Sequence, residues 1–149
     1  MKIALASDHA GYELKKAVAD HLAGRGIDHV DFGCGPGEKV SYADFGARGA
    51  GAVASGECDR AILVCGTGIG MGIVANKFKG VRATPCWTDY TAEMSRLHND
   101  SNCLTLGGRV LTAEEGVRFV DIWLGTVFEG GRHAARLAKV REIEDRNFK

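Results

Sequence analysis

The stretch of this sequence best equipped for chemistry is Cys65-Gly66-Thr67-Gly68-Ile69-Gly70-Met71-Gly72. It follows the apolar run Ala61-Ile62-Leu63-Val64 and opens a helical pattern reaching about Lys77. Alternate glycines leave a row of amide N–H groups uncovered at a helix start, a nest that favours a negative oxygen, whether phosphate or a developing oxyanion. It is not a dinucleotide fingerprint, because G-x-G-x-x-G read from Gly66 ends on Met71 and read from Gly68 ends on Ile73. Nor is it a P-loop, since no Gly-Lys-Ser/Thr follows. Cys65 immediately precedes the nest, and helix-end N–H groups favour thiolate over thiol, so a reactive sulfur is physically reasonable there. A buried strand-end cysteine fits the same local sequence equally well. Thr67 offers a hydroxyl that could carry a proton or simply cap the helix.

Four further groups carry polar chemistry. Asp8-His9 follows the first apolar run, where Asp8 could bind ligand or cap a helix. His98-Asn99-Asp100 closes a helical pattern, and Arg109 ends Gly107-Gly108-Arg109. Arg132 and Arg136 lie four apart, on one face of the final helical pattern, and with Arg109 would suit a phosphate. His21, His29 and His133 read as structural or surface residues. Among the five cysteines there is no C-x-x-C spacing, so a metal or redox pair is not expected, and Cys34, Cys58, Cys86 and Cys103 read as small core or surface residues.

Short apolar runs alternate with amphipathic ones to position these groups. Strands are expected over Ile3–Ala6, Val30–Phe32, Ala61–Cys65, Val81–Cys86 and Cys103–Leu106. Helices are expected over about Gly11–Ala23, Tyr42–Ser55, from the glycine-rich turn after Cys65 to about Lys77, Thr91–His98, Thr112–Leu124 and Gly131–Asp145. The second is weakened by Gly46, Gly49 and Gly51, whereas Thr112-x-x-Glu115 is a capping box. This alternation describes one α/β domain over residues 1–149, a three-layer α/β/α sandwich on a five-stranded parallel sheet. Ligands of such sheets sit beyond the carboxyl ends of the strands, which selects Ser7–His9, Gly33–Ser41, Gly66–Gly72 and Gly107–Arg109.

Composition narrows the classes. With 149 residues, 45% apolar, and 19 Lys+Arg against 19 Asp+Glu, the chain can build one core and has no basic excess for nucleic acid. No apolar run approaches the roughly 20 residues of a membrane span, and the first residues carry no signal-peptide pattern, so a soluble cytoplasmic protein is expected. Glycine, at 21 residues, is about twice as frequent as average without any repeat period.

Read together, Ser7-Asp8-His9-Ala10-Gly11, Asp31-Phe32-Gly33, Cys65-Gly66-Thr67-Gly68-Ile69-Gly70, Ala75-Asn76-Lys77, Arg96-Leu97-His98-Asn99-Asp100, Gly107-Gly108-Arg109-Val110 and Glu129-Gly130-Gly131-Arg132-His133 run in one order along nearly the whole chain. In this the sequence resembles the type B ribose-5-phosphate isomerases, within the wider group that includes galactose-6-phosphate isomerase subunits. The resemblance implies a Rossmann- or flavodoxin-like sheet, a homodimer with sites at the subunit interface, and no metal or organic cofactor. It leaves open whether dimers pair into tetramers. It implies that Cys65 is the base moving a proton between C1 and C2, that Thr67 passes a proton between the two oxygens, and that amides from Gly66 through Gly68 to Gly70 hold an enediolate. By the same likeness His98 and Asp8 assist opening of the sugar ring, His9, Arg109, Arg132 and Arg136 bind phosphate, Asn99 meets sugar hydroxyls, and Tyr42 lines the pocket. His98, Asn99 and Arg109 are expected from the partner subunit. Two departures bear on sugar preference. Ser41-Tyr42-Ala43 stands where many relatives have Asp-Tyr-Pro, and Gly72 stands where a serine is common. The alternatives are an isomerase of another sugar phosphate (allose 6-phosphate, galactose 6-phosphate or a tetrose phosphate) and a non-catalytic module binding a phosphorylated ligand.

Overall fold

The computed structural model describes residues 1–148. The chain runs β1 (Lys2–Ser7), α1 (Tyr12–Gly24), β2 (Asp28–Asp31), α2 (Tyr42–Ala54), β3 (Arg60–Cys65), α3 (Ile69–Ala75), β4 (Ala83–Pro85), α4 (Asp89–Leu97), β5 (Cys103–Gly107), α5 (Ala113–Gly125) and α6 (Arg132–Asn147). All strand pairs are parallel, in the order β2-β1-β3-β5-β4. As in flavodoxin-like sheets the order switches direction between β1 and β3; at the far edge, however, β5 lies inside β4.

The central strands are apolar on both faces, so each sheet face needs its own helical layer. One layer buries Ile3, Leu5, Ile62, Val64, Leu104 and Leu106 against Leu14, Val18 and Leu22 of α1, Ala92 of α4, and Phe119, Val120 and Trp123 of α5. The other sets Ala4, Ala6, Ala61, Leu63 and Cys65 beneath Ala50 and Ala52 of α2 and Met71 and Ala75 of α3. Small residues on this second face let α2 sit close. A Cβ on Gly49 would lie 2.4 Å from Leu63 Cδ2. That proximity is why a glycine-rich segment of poor helix propensity is nevertheless a helix. Thr112 and Glu115 cap α5 reciprocally as expected, and Thr88 with Thr91 does the same for α4.

The sixth helix differs from the rest. Of its sixteen residues only His133 is buried, and Val140 and Ile143 are each 51% exposed. No helix among the described residues is long and apolar enough to cross a membrane.

Candidate active site

Because β1 and β3 are adjacent while their following helices cover opposite faces, the loops leaving them diverge and open a crevice at the carboxyl rim. The β1 loop contributes Asp8 and His9. Asp8 is buried; its Oδ1 accepts the Gly11 N–H at 3.0 Å, and its own N–H donates to Val64 O at 3.2 Å. Asp8 therefore caps the turn into α1 while tying the loop to β3. His9 is exposed, with Nδ1 3.3 Å from Val40 O, which lays its ring along the segment preceding α2.

The β3 loop holds the thiol. Cys65 is only 4% exposed, and its Sγ accepts the Gly68 N–H at 3.2 Å. A hydrogen bond of this kind strengthens when the sulfur carries charge. Gly68 adopts φ +83°, a left-handed conformation that side chains rarely take, and this turn aims its amide back at the sulfur. Among the described residues no other thiol accepts a backbone N–H, and burial pushes Cys103, Cys86 and Cys58 up from the ordinary thiol value.

Thr67 is exposed, and its Oγ1 accepts the Ile69 N–H at 3.2 Å. Its carbonyl accepts the indole N–H of Trp87 at 3.1 Å. Trp87 was invisible to the sequence reading, although its place just past β4 puts it on this rim. Tyr42 lies over Gly70, where an added Cβ would be 2.8 Å from Tyr42 Cε2. Ser41 caps α2 through its hydroxyl, which accepts the Ala43 N–H at 3.2 Å. Gly72 is buried in α3 facing Pro85 and the Thr105 hydroxyl, so the absent serine would point into the packing rather than the crevice.

Arg109 also belongs to this rim. Its N–H donates to Gly66 O at 2.9 Å, and its guanidinium lies 3.5 Å from where a Gly66 Cβ would be. The expectation that groups Arg109 with His98 and Asn99 is therefore corrected within the chain: Arg109 stands with Cys65. The reason is topological, since β5 ends beside β3, with Cys65 paired to Gly107.

The remaining residues gather at the other end. The α4 helix runs back along the sheet, so its C-cap His98, with Asn99 and Asp100, lies at the amino edge. There Arg82, just before β4, donates to the carbonyls of Asn99 at 3.2 Å and Asp100 at 2.8 Å. The Glu129 N–H donates to Leu97 O at 3.0 Å, bringing the start of α6 to the same place. His98 stacks on His133, with ring centroids 4.1 Å apart and planes 13° from parallel. Burial, then His98, Arg132 and Arg136 lower the His133 pKa against the opposing pull of Glu129, so both arginines belong to this cluster. Five residues of parallel strand, about 16 Å, separate the two ends.

His98, Glu129 and His133 form the one group among the described residues whose donor atoms are close enough to share an ion, all within 4.8 Å. The in-plane lone pairs of two nearly parallel rings do not converge on a point, so the trio is arranged as a stack with a hydrogen-bonded edge. His133, read from sequence as structural or surface, is thus part of this cluster. The signal that could have found it was Glu129 four residues upstream together with its neighbour Arg132.

A parallel α/β sheet with a thiol, an amide-rich turn and polar side chains at its switch point defines a protein that binds and handles a small anionic molecule. The ribose/galactose isomerase family model matches residues 3–140, and the chain belongs to that family. It is 46% identical over 145 residues to ribose-5-phosphate isomerase B of Escherichia coli, covering 97% of each chain. Among solved structures it is similar to ribose-5-phosphate isomerase B of Clostridium thermocellum, with TM-score 0.96 and 52% identity over 98% of this chain and 99% of that one. It also matches ribose-5-phosphate isomerase B of Mycoplasma genitalium with bound ribulose 5-phosphate, with TM-score 0.93 and 38% identity over 97% and 96% of the two chains.

Proposed function

We propose that this protein is an aldose–ketose isomerase interconverting D-ribose 5-phosphate and D-ribulose 5-phosphate through an enediolate, acting in the cytoplasm as a homodimer. The observation that carries the reading is the Gly68 N–H aimed at Cys65 Sγ at the carboxyl end of β3. A phosphate-binding module has no use for a sulfur held this way, whereas proton transfer does. Family membership supports the same choice.

In the open-chain aldose the Cys65 thiolate takes the C2 proton, and the electron pair moves through C1 onto the carbonyl oxygen. Amides of the Gly66–Gly70 turn hold that oxyanion before it forms, so little reorganisation accompanies the step. Thr67 carries a proton between O1 and O2, and the thiol returns its proton to C1, which gives the ketose. Every atom is conserved and no external acceptor is needed. Cys65 acts as base and not as nucleophile. Charge is met by amides and arginines, so the scheme asks for no metal or organic cofactor.

His98 and Asn99 cannot serve the Cys65 of their own chain, being a strand length away. They reach a Cys65 if a second copy presents its amino-edge cluster to this carboxyl rim. In this arrangement His98 works with Asp8 on ring opening and Asn99 meets sugar hydroxyls. Arg132 and Arg136 arrive with them, and His9 and Arg109 wait on the rim, so the phosphate is taken from both sides. Tyr42 closes the side of the pocket beside Gly70. The almost bare α6 supports the pairing, since an isolated helix with one buried residue gains little from packing.

The test is isomerisation in deuterium oxide with ribose 5-phosphate. Deuterium at C2 of the recovered aldose is the expected result. Absence of both deuterium incorporation and ribulose 5-phosphate formation, with ligand still bound, would leave only the binding module.

A further inference from the structure

His133 is buried at 4% exposure, whereas His98, against which it lies, is only half-buried. Two contacts hold the edge of the His133 ring. Its Nε2 is 3.2 Å from Glu129 Oε2 and 3.4 Å from Arg132 Nε. With a proton on Nε2 the ring donates to the carboxylate, and without one it accepts from the guanidinium, so the edge is fixed in either tautomer. Glu129 is itself fastened to the α4 end by its N–H to Leu97 O. The outcome is a flat, immobilised surface 4.1 Å beneath one face of His98. His98 itself remains only half-buried.

We propose that His133 is a positioning residue that sets the plane of the His98 imidazole. A half-buried histidine at a helix C-cap has a loosely defined χ2 torsion, and a stacked ring below it removes that freedom. The proposal rests on the reading that His98 serves the sugar. Burial, then the neighbouring His98, Arg132 and Arg136 push His133 below the ordinary imidazole value, and Glu129 alone opposes them.

The experiment compares His133→Ala, His133→Phe and Glu129→Ala with the unaltered protein, and runs His98→Ala beside them. Each is assayed for kcat and KM on ribose 5-phosphate, and the His98 ring is followed by NMR in uniformly labelled protein. His133→Ala is expected to lower kcat about tenfold or more with KM within about threefold, the pattern of lost orientation. Its His98 ring signals broaden or average. His133→Phe, which restores a flat ring without a titrating nitrogen, recovers most of the lost turnover and the sharp His98 signals. Glu129→Ala, a change at an exposed side chain that keeps the Arg132 contact, gives a smaller loss in the same direction. Unchanged kcat and unchanged His98 signals in His133→Ala would overturn the proposal, as would His133→Phe being no better than His133→Ala. If His98→Ala itself isomerises normally, the underlying reading of His98 fails instead. The NMR comparison still reports whether His133 orders that ring.

Discussion

Replacing Gly107 with alanine should reduce turnover about a hundredfold while leaving the fold intact. The residue ends β5 directly under the β3–α3 turn, and a Cβ there would stand 2.8 Å from the Cα, C and O of Thr67. These are backbone atoms and cannot rotate aside. Reaching ordinary contact at 3.4–4 Å requires the Thr67 peptide to retreat by about 0.6–1.2 Å. That peptide carries the Gly68 N–H aimed at Cys65 Sγ, and its carbonyl is held by the Trp87 N–H, so moving it moves the turn. A misplacement near 1 Å at a reacting centre costs roughly 10²-fold, equivalent to about 2.7 kcal/mol in the barrier. Overpacking at one methyl destabilises by about 1–3 kcal/mol, which lowers Tm by several degrees without unfolding the protein. Steady-state kinetics on ribose 5-phosphate and a thermal melt measure the two effects. Gly24→Ala serves as control, since nothing lies within 4 Å of the added Cβ. A kcat within about threefold of the unaltered protein would refute the claim that the Thr67 peptide must sit where it does.

Cys65→Ala should eliminate isomerisation while ribose 5-phosphate still binds by calorimetry; retention of most activity would remove Cys65 as the base. Arg132→Ala should weaken substrate binding by about 1.5–3 kcal/mol, the value of a charged hydrogen bond, read as a KM increase of tenfold or more. Trp87→Phe removes the N–H to the Thr67 carbonyl and should lower kcat by about 2- to 10-fold with little change in Tm. Stability should fall at alkaline pH. The Cys103 thiol is raised by burial in the folded chain, so above the unfolded value of about 8.5 the unfolded state sheds a proton that the folded state keeps, and each further pH unit costs about 1.4 kcal/mol. Melts at pH 7.5 and 9.5 should show this, with a smaller drop in Cys103→Ala.

Elements with strong periodicity were legible from residues alone: β1, α1, β3, β5 and α5 fall within two residues of their expected bounds. Where the match is looser, packing decided. The fourth strand was expected over Val81–Cys86 and spans Ala83–Pro85: at its start the Val81 and Arg82 amides are taken by Phe78 O and the Asn102 side chain, while Cys86 N–H still donates to Thr105 O of β5. The second strand was expected at Val30–Phe32 and starts earlier, at Asp28, since pairing to Lys2 outweighs the apolar pattern. Lys15 shows another limit. It is a buried cation on α1, satisfied at 2.8 Å by Asp31 and by the Cys34 carbonyl, partners that local sequence does not reveal. Motifs picked out the candidate residues but not how they divide between the two ends of the sheet. That division follows from the direction of α4, and so from the parallel topology rather than from any residue type.

The strand length between the two polar groups has a genetic consequence. In the proposed dimer a lesion at Cys65 and a lesion at His98, carried on separate chains, would fall in the same centre when those chains associate. Each mixed pair would then keep one intact centre and lose the other entirely. Blending two inactive preparations after unfolding and renaturation should recover about a quarter of normal activity, the statistical yield for random twofold pairing.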